Sequence, residues 1–92
     1  VRFEHKKLNL TLLLTDGDEL TQRDVERYIT EYRRMPEADN AGKVLRAAIL
    51  AGWVQDPAMS VDMVEGMKPA AVRWYAAKID ALYAEATTIP PE

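Results

Sequence analysis

Apolar and polar residues alternate along KLNLTLLL, with Leu8, Leu10, Leu12 and Leu14 on one side and Asn9, Thr11 and Leu13 on the other. A period of two marks a β-strand, here one with a wetter face. A lone strand leaves backbone groups unpaired, so a partner strand is required, from this chain or another. The preceding VRFEH is the candidate within the chain. Asp16-Gly17 follows as a turn pair because glycine accepts positive φ. It either closes a tight hairpin through Asp18 and Glu19 or turns the chain toward a helix.

The period changes to 3.6 in LTQRDVERYITEYRRMP, where Val25, Tyr28, Ile29, Tyr32 and Met35 share one helical face. Thr21 is the expected N-cap, Asp24 completes a capping box, and Leu20 with Val25 has the spacing of a hydrophobic staple. Pro36 disfavours helical geometry at Met35 and ends the helix. The loop EADN caps a second helix from about Ala41 to Ala51, with Val44, Leu45, Ala48 and Ile49 facing inward. Gly52 stands where a left-handed residue stops a helix, which would fold Trp53 back onto the core as a plug. Beyond QDP the chain loosens; Ser60 caps a turn through Val64, and Gly66 breaks it. Pro69 opens a long helix whose core face is Val72, Tyr75, Ala76, Ile79, Leu82, Tyr83 and Ala86. The expected fold is α+β and mainly helical, in one small domain spanning residues 1–92. A strand or hairpin region (1–20) precedes a helical region (21–86) of three main helices and a short helical turn, and an extended tail (87–92) closes it.

Composition narrows the chemistry. The 92 residues are 48% hydrophobic and 29% charged, ordinary values for a folded domain. Cysteine is absent, which removes disulfides and thiolate chemistry. No apolar run approaches the roughly 20 residues of a membrane span, and no signal-peptide pattern is visible, so a cytoplasmic home is expected. The single histidine, His5, and single serine, Ser60, build no nucleophilic triad, so an enzyme is not expected. An EF-hand loop beginning at Asp16 needs glycine at its sixth position and glutamate at its twelfth, where Thr21 and Arg27 stand. The glycines at 17, 42, 52 and 66 are too scattered for a phosphate loop. No metal, cofactor or small-molecule substrate is expected.

Two surfaces remain as candidates. At ~100° per residue, Trp74 points about 130° from the core stripe of the last helix, among Ala70, Ala77 and Ala81. Either the N-terminal strand or another helix covers that side, or the indole anchors a protein partner or a second copy. Arg23, Arg27 and Arg34 line the outer face of the first helix, which gives the alternative of a small DNA-binding regulator. Against that stand the net charge of −3 and the expected pairing of Arg27 with Glu31 and Arg23 with Glu26. Residues 1–35 carry seven basic and seven acidic groups, and residues 36–92 five and eight, so no segment is strongly basic. Nucleic acid is therefore the weaker partner, and contact through the Trp74 face and an exposed strand edge the stronger reading.

The stretch AAILAGWVQDP, then MKPAAVRWYAAKIDALYAEATTIP, resembles the small acidic tail assembly chaperones of phage and prophage tail-gene neighbourhoods. The likeness covers about Ala41 to Pro90, with Gly52-Trp53, Trp74-Tyr75 and Leu82-Tyr83 as landmarks. The resemblance implies a non-enzymatic protein of the bacterial host cytoplasm that binds a tape-measure protein or its own copies, with no catalytic residues to carry over. The strand-first opening departs from that pattern.

Overall fold

The structure, a computed structural model, describes residues 1–36 and 39–91. In chain order it contains β1 (Arg2–His5), β2 (Leu10–Leu14), a 3-10 turn (Gly17–Glu19), α1 (Gln22–Arg34), α2 (Asn40–Leu50), β3 (Val54–Asp56), a second 3-10 turn (Val61–Gly66) and α3 (Pro69–Thr87). The fold is α+β and mainly helical, with a three-stranded antiparallel sheet of order β1-β2-β3.

VRFEH is the partner strand: Arg2 lies opposite Leu13 and His5 opposite Leu10. The hairpin turns at residues 6–9, where Asn9 takes φ 52°, a left-handed value that asparagine tolerates better than most residues. There the Asn9 N–H donates to the Lys6 carbonyl (3.1 Å) and the Leu8 N–H to His5 Nδ1 (3.2 Å). Leu8 therefore belongs to the turn and is exposed, while Leu12 and Leu14 of the same alternation are buried. Asp16-Gly17 closes no hairpin; it leads into the first 3-10 turn and so toward α1.

The N-terminus of α1 carries the expected capping box. The Thr21 N–H donates to Asp24 Oδ2 (2.9 Å), and the Asp24 N–H donates to Thr21 Oγ1 (3.3 Å). The bond from the Thr21 backbone, then that from its hydroxyl, holds the Asp24 carboxyl below its ordinary pKa. The helix ends at Arg34, and Met35, its C-cap just before Pro36, is extended (φ −74°, ψ 136°). In the loop expected to cap α2, Glu37 and Ala38 lie outside the described residues; Asp39 holds the N-cap position without a side-chain capping bond. The tail starts at Thr88 rather than Thr87, because α3 continues through Thr87, and Glu92 also lies outside the described residues.

At the far end of α2, Gly52 has φ +80°. Its N–H donates to the Ile49 carbonyl (3.1 Å) and the Trp53 N–H to the Ala48 carbonyl (3.0 Å), the paired bonds of a Schellman stop. The Trp53 side chain is 1% exposed and stacks on Tyr28, ring centroids 4.5 Å apart and planes 16° apart. Its carbonyl accepts the Thr15 N–H (3.1 Å). That bond starts a third strand absent from the sequence reading: β3 pairs antiparallel with β2, Val54 opposite Leu14 and Asp56 opposite Leu13, with an irregularity between them.

Helix α2 is the middle layer and packs against both α1 and α3. It buries Val44, Leu45, Ala47 and Ala48, with Ile49 half-buried. Ala47 extends the expected stripe because α2 is covered on two sides. On α3, Val72, Tyr75, Ala76, Ile79 and Leu82 are buried, whereas Tyr83 and Ala86 are only half-buried.

These arrangements set three expectations. Gly52→Ala meets no atom within 4 Å, so its cost is backbone strain alone. Urea unfolding should read a loss of roughly 1–2 kcal/mol for it. The Trp53 indole Nε1 is buried with no hydrogen-bond partner among the described residues. Trp53→Ala should then cost about 3–5 kcal/mol, and Trp53→Phe far less, since it keeps a stacked ring and removes the orphaned donor. A lowered Asp24 pKa means that its stabilisation is complete above the unfolded-chain value and is lost as pH falls through the folded one. Urea midpoints between neutral and acid pH should therefore fall less in Asp24→Asn than in the parent protein.

Candidate functional site

The two surfaces expected from sequence are placed differently. Trp74 is half-buried and packs against the core. The His5 ring of β1 meets it edge-on (5.9 Å, 89°), and Tyr75 meets it at 5.4 Å. Lys78 Nζ lies 5.7 Å from the Trp74 ring and 5.1 Å from the Phe3 ring, bridging α3 to β1. The indole thus seats the hairpin on α3. Ala70, Ala77 and Ala81 share its side of α3 and are exposed, a thin strip without the large ring standing free.

Arg23, Arg27 and Arg34 are all exposed on α1. The expected pairing is not the one formed: Glu31 pairs with Arg34 (3.4 Å), and Glu26 accepts a bond from Gln22 Nε2 (3.1 Å). Glu31 takes the arginine one turn further on rather than Arg27. Arg23 and Arg27 both act on Asp24, so the row is interleaved with carboxylates along its length.

A third feature is more site-like. The backbones of α1 and α3 rarely approach within 8 Å, although both pack on α2. The gap is a cleft of about 240 Å³ lined by Tyr28, Ile29 and Tyr32 of α1, Asn40 and Val44 of α2, and Asp80 and Tyr83 of α3. Tyr28 is the most buried of its aromatic walls, and its back is fixed by the Trp53 stack. Tyr83 and Tyr32 flank it with centroids at 5.6 and 6.5 Å and planes tilted by 41° and 31°. The Tyr32 hydroxyl donates to Asn40 Oδ1, which fixes one wall to the start of α2.

Asp80 has no ion-pair or hydrogen-bond partner among the described residues. Partial desolvation raises its carboxyl pKa above the ordinary value. Burial raises the Tyr28 phenol well above the ordinary tyrosine value, and Asp80, Tyr32 and Tyr83 add to the effect. Each of these three neighbours is negative or becomes so on ionisation, which makes the surroundings of the Tyr28 hydroxyl unfavourable to further negative charge.

Neither His5 nor Ser60 lines this cleft. Among the described residues no group of three or more metal-ligating side chains is clustered, and no helix is long and apolar enough to cross a membrane. Sequence reading placed Tyr28, Tyr32 and Tyr83 on core faces, took Asn40 only as part of the EADN cap and passed over Asp80. The available signal was that all four tyrosines lie on the inward faces of two helices, with a carboxylate one turn before Tyr83. No family model, no curated protein and no solved structure matches the chain.

The raised Tyr28 pKa gives a signed prediction. Once pH passes the ordinary tyrosine value of about 10, the unfolded chain releases this proton and the native chain keeps it, so stability falls with rising pH. Absorbance titration should show that Tyr28→Phe removes the most alkaline tyrosine step. Its unfolding free energy should also decline less between neutral and strongly alkaline pH.

Proposed function

We propose that this protein is a non-catalytic protein-binding domain that engages a partner polypeptide over the cleft between α1 and α3. The observation that carries this reading is Asp80, a carboxylate without a partner among the described residues, set beside three tyrosine rings in an open cleft. Tyrosine supplies large contact area at little entropic cost and is favoured where partners dock. Catalysis is disfavoured by the lining: a tyrosine that resists ionisation is a poor base, and neither the histidine nor the serine is nearby. The Trp74 side is the weaker docking face, because β1 already covers part of the indole.

The narrower form of the reading, a phage-type tail assembly chaperone binding a tape-measure protein, is supported by the resemblance over residues 41–90. A gene position beside a tape-measure gene would strengthen it, and a setting without tail genes would remove it.

Photocrosslinking tests the broader reading. A photoreactive phenylalanine derivative replaces Tyr83 in the cleft, Ala77 on the α3 strip or Arg27 on the arginine face, each in the producing cell. Capture of a polypeptide, of another kind or a second copy, at position 83 and not at 27 is the expected result. Capture at 77 alone would move the surface to the Trp74 side, and nucleic acid captured at 27 would replace the reading with the DNA-binding alternative.

A further inference from the structure

We infer that the cleft between α1 and α3 receives an arginine side chain from the partner polypeptide, stacked against Tyr28, Tyr32 and Tyr83 and paired with Asp80. The inference rests on the protein-binding reading and names what that site recognises.

Size sets the first limit. At about 240 Å³ the cleft falls below the roughly 300–1,000 Å³ of sites for drug-sized ligands, so one inserted side chain is the appropriate scale. Charge sets the second. A carboxylate with no partner among the described residues loses solvation when a guest covers it, so an apolar or anionic guest is penalised and a cation is compensated. Aromatic faces act in the same direction, because their quadrupole attracts a cation placed over the ring. The protein already uses that attraction beside the cleft: Lys43 Nζ sits 4.3 Å from the Tyr32 ring centroid. Lys43 itself lines the neighbouring groove with Met35 and Pro36, so it does not fill the cleft.

Geometry then selects among cations. A metal ion would require more ligands than one carboxylate, and no cluster of three ligating side chains is present among the described residues. An ammonium is also drawn to a ring face, but it is a compact, strongly hydrated point charge that cannot lay a plane against the walls or offer two parallel donors to one carboxylate. A guanidinium is planar, stacks on rings and presents parallel N–H groups to a carboxylate. Tyr28 and Tyr83 provide the rings, Asp80 on α3 the carboxylate, and the stem of the guest can lie along Ile29 and Val44.

The test uses the whole protein and capped Gly-Arg-Gly, its citrulline counterpart and its leucine counterpart, followed by tyrosine and Asp80 NMR resonances. The arginine peptide should shift the Tyr28, Tyr32, Tyr83 and Asp80 signals saturably, with a millimolar-order dissociation constant as befits one side chain. Citrulline keeps the shape and loses the charge, and should shift them little. Asp80→Asn, an exposed change on a helix surface, should weaken arginine binding about tenfold, the loss expected for one charge-assisted pair. Arg27→Gln, outside the cleft, should leave it unchanged.

Equal shifts from arginine and citrulline, a stronger response to leucine, or full binding by Asp80→Asn would each overturn the inference. So would the absence of any shift at saturating peptide solubility. None of these results touches the crosslinking experiment: polypeptide capture at position 83 with no arginine preference leaves the docking reading standing and removes only its guest. Arginine-specific shifts without any polypeptide captured at 83 would instead mean that the cleft reads a free guanidinium compound, and would overturn the protein-binding reading.

Discussion

Gly52 is held at φ +80°, and the chain reverses there in a way that no β-carbon-bearing residue adopts cheaply. The residue after it then serves three purposes with three different groups. The Trp53 N–H closes the last turn of α2, its carbonyl takes the Thr15 N–H and so starts β3, and its indole fills the centre of the core. Helix termination, sheet completion and packing meet at one position, so a disturbance there propagates to all three layers. The tyrosine cleft depends on the same residue, because Tyr28 is backed by that indole and owes its orientation to the stack.

Little of the remaining stability is electrostatic. The pairs between Arg2 and Asp56 (3.8 Å) and between Arg73 and Asp39 (3.9 Å) are exposed on both sides, and such pairs contribute weakly. Among the described residues the buried set is apolar or aromatic and includes no charged residue. What holds the domain together is the burial of Leu12, Leu45, Ile79 and their neighbours, with aromatic stacking adding roughly 0.5–1.5 kcal/mol per good pair. A carboxylate beside tyrosines stands out against that background.

The legible parts of the sequence were those written in local code. Thr21 and Asp24 announce a capping box three residues apart, Gly52 announces a stop, and Pro69 announces a start. Each needs only its neighbours to act, and each appears where expected. Strand β3 was not legible: Val54, Gln55 and Asp56 show almost no apolar alternation, and their pairing depends on the distant β2, where Leu14 lies opposite Val54, with a side-chain bond from Gln55 to Thr15 just beyond it. The cleft was illegible for a related reason. Periodicity puts Tyr28, Tyr32 and Tyr83 on inward faces, but whether an inward face is covered depends on how closely two helices approach. Here α2 spaces α1 and α3 apart, so residues of core character end up lining a gap. Trp74 shows the converse, an outward-pointing indole covered by a strand far from it in sequence.

The order β1-β2-β3 also leaves the sheet with two free borders, the situation that elsewhere seeds intermolecular strand stacking and fibril growth. Both borders are poor templates. β1 exposes Arg2 and Glu4, charged side chains that an added strand would have to desolvate. β3 is three residues long and is followed at once by Pro57, which has no N–H to offer an incoming chain. The same economy that makes β3 nearly invisible in the sequence thus guards the protein against growing through its sheet.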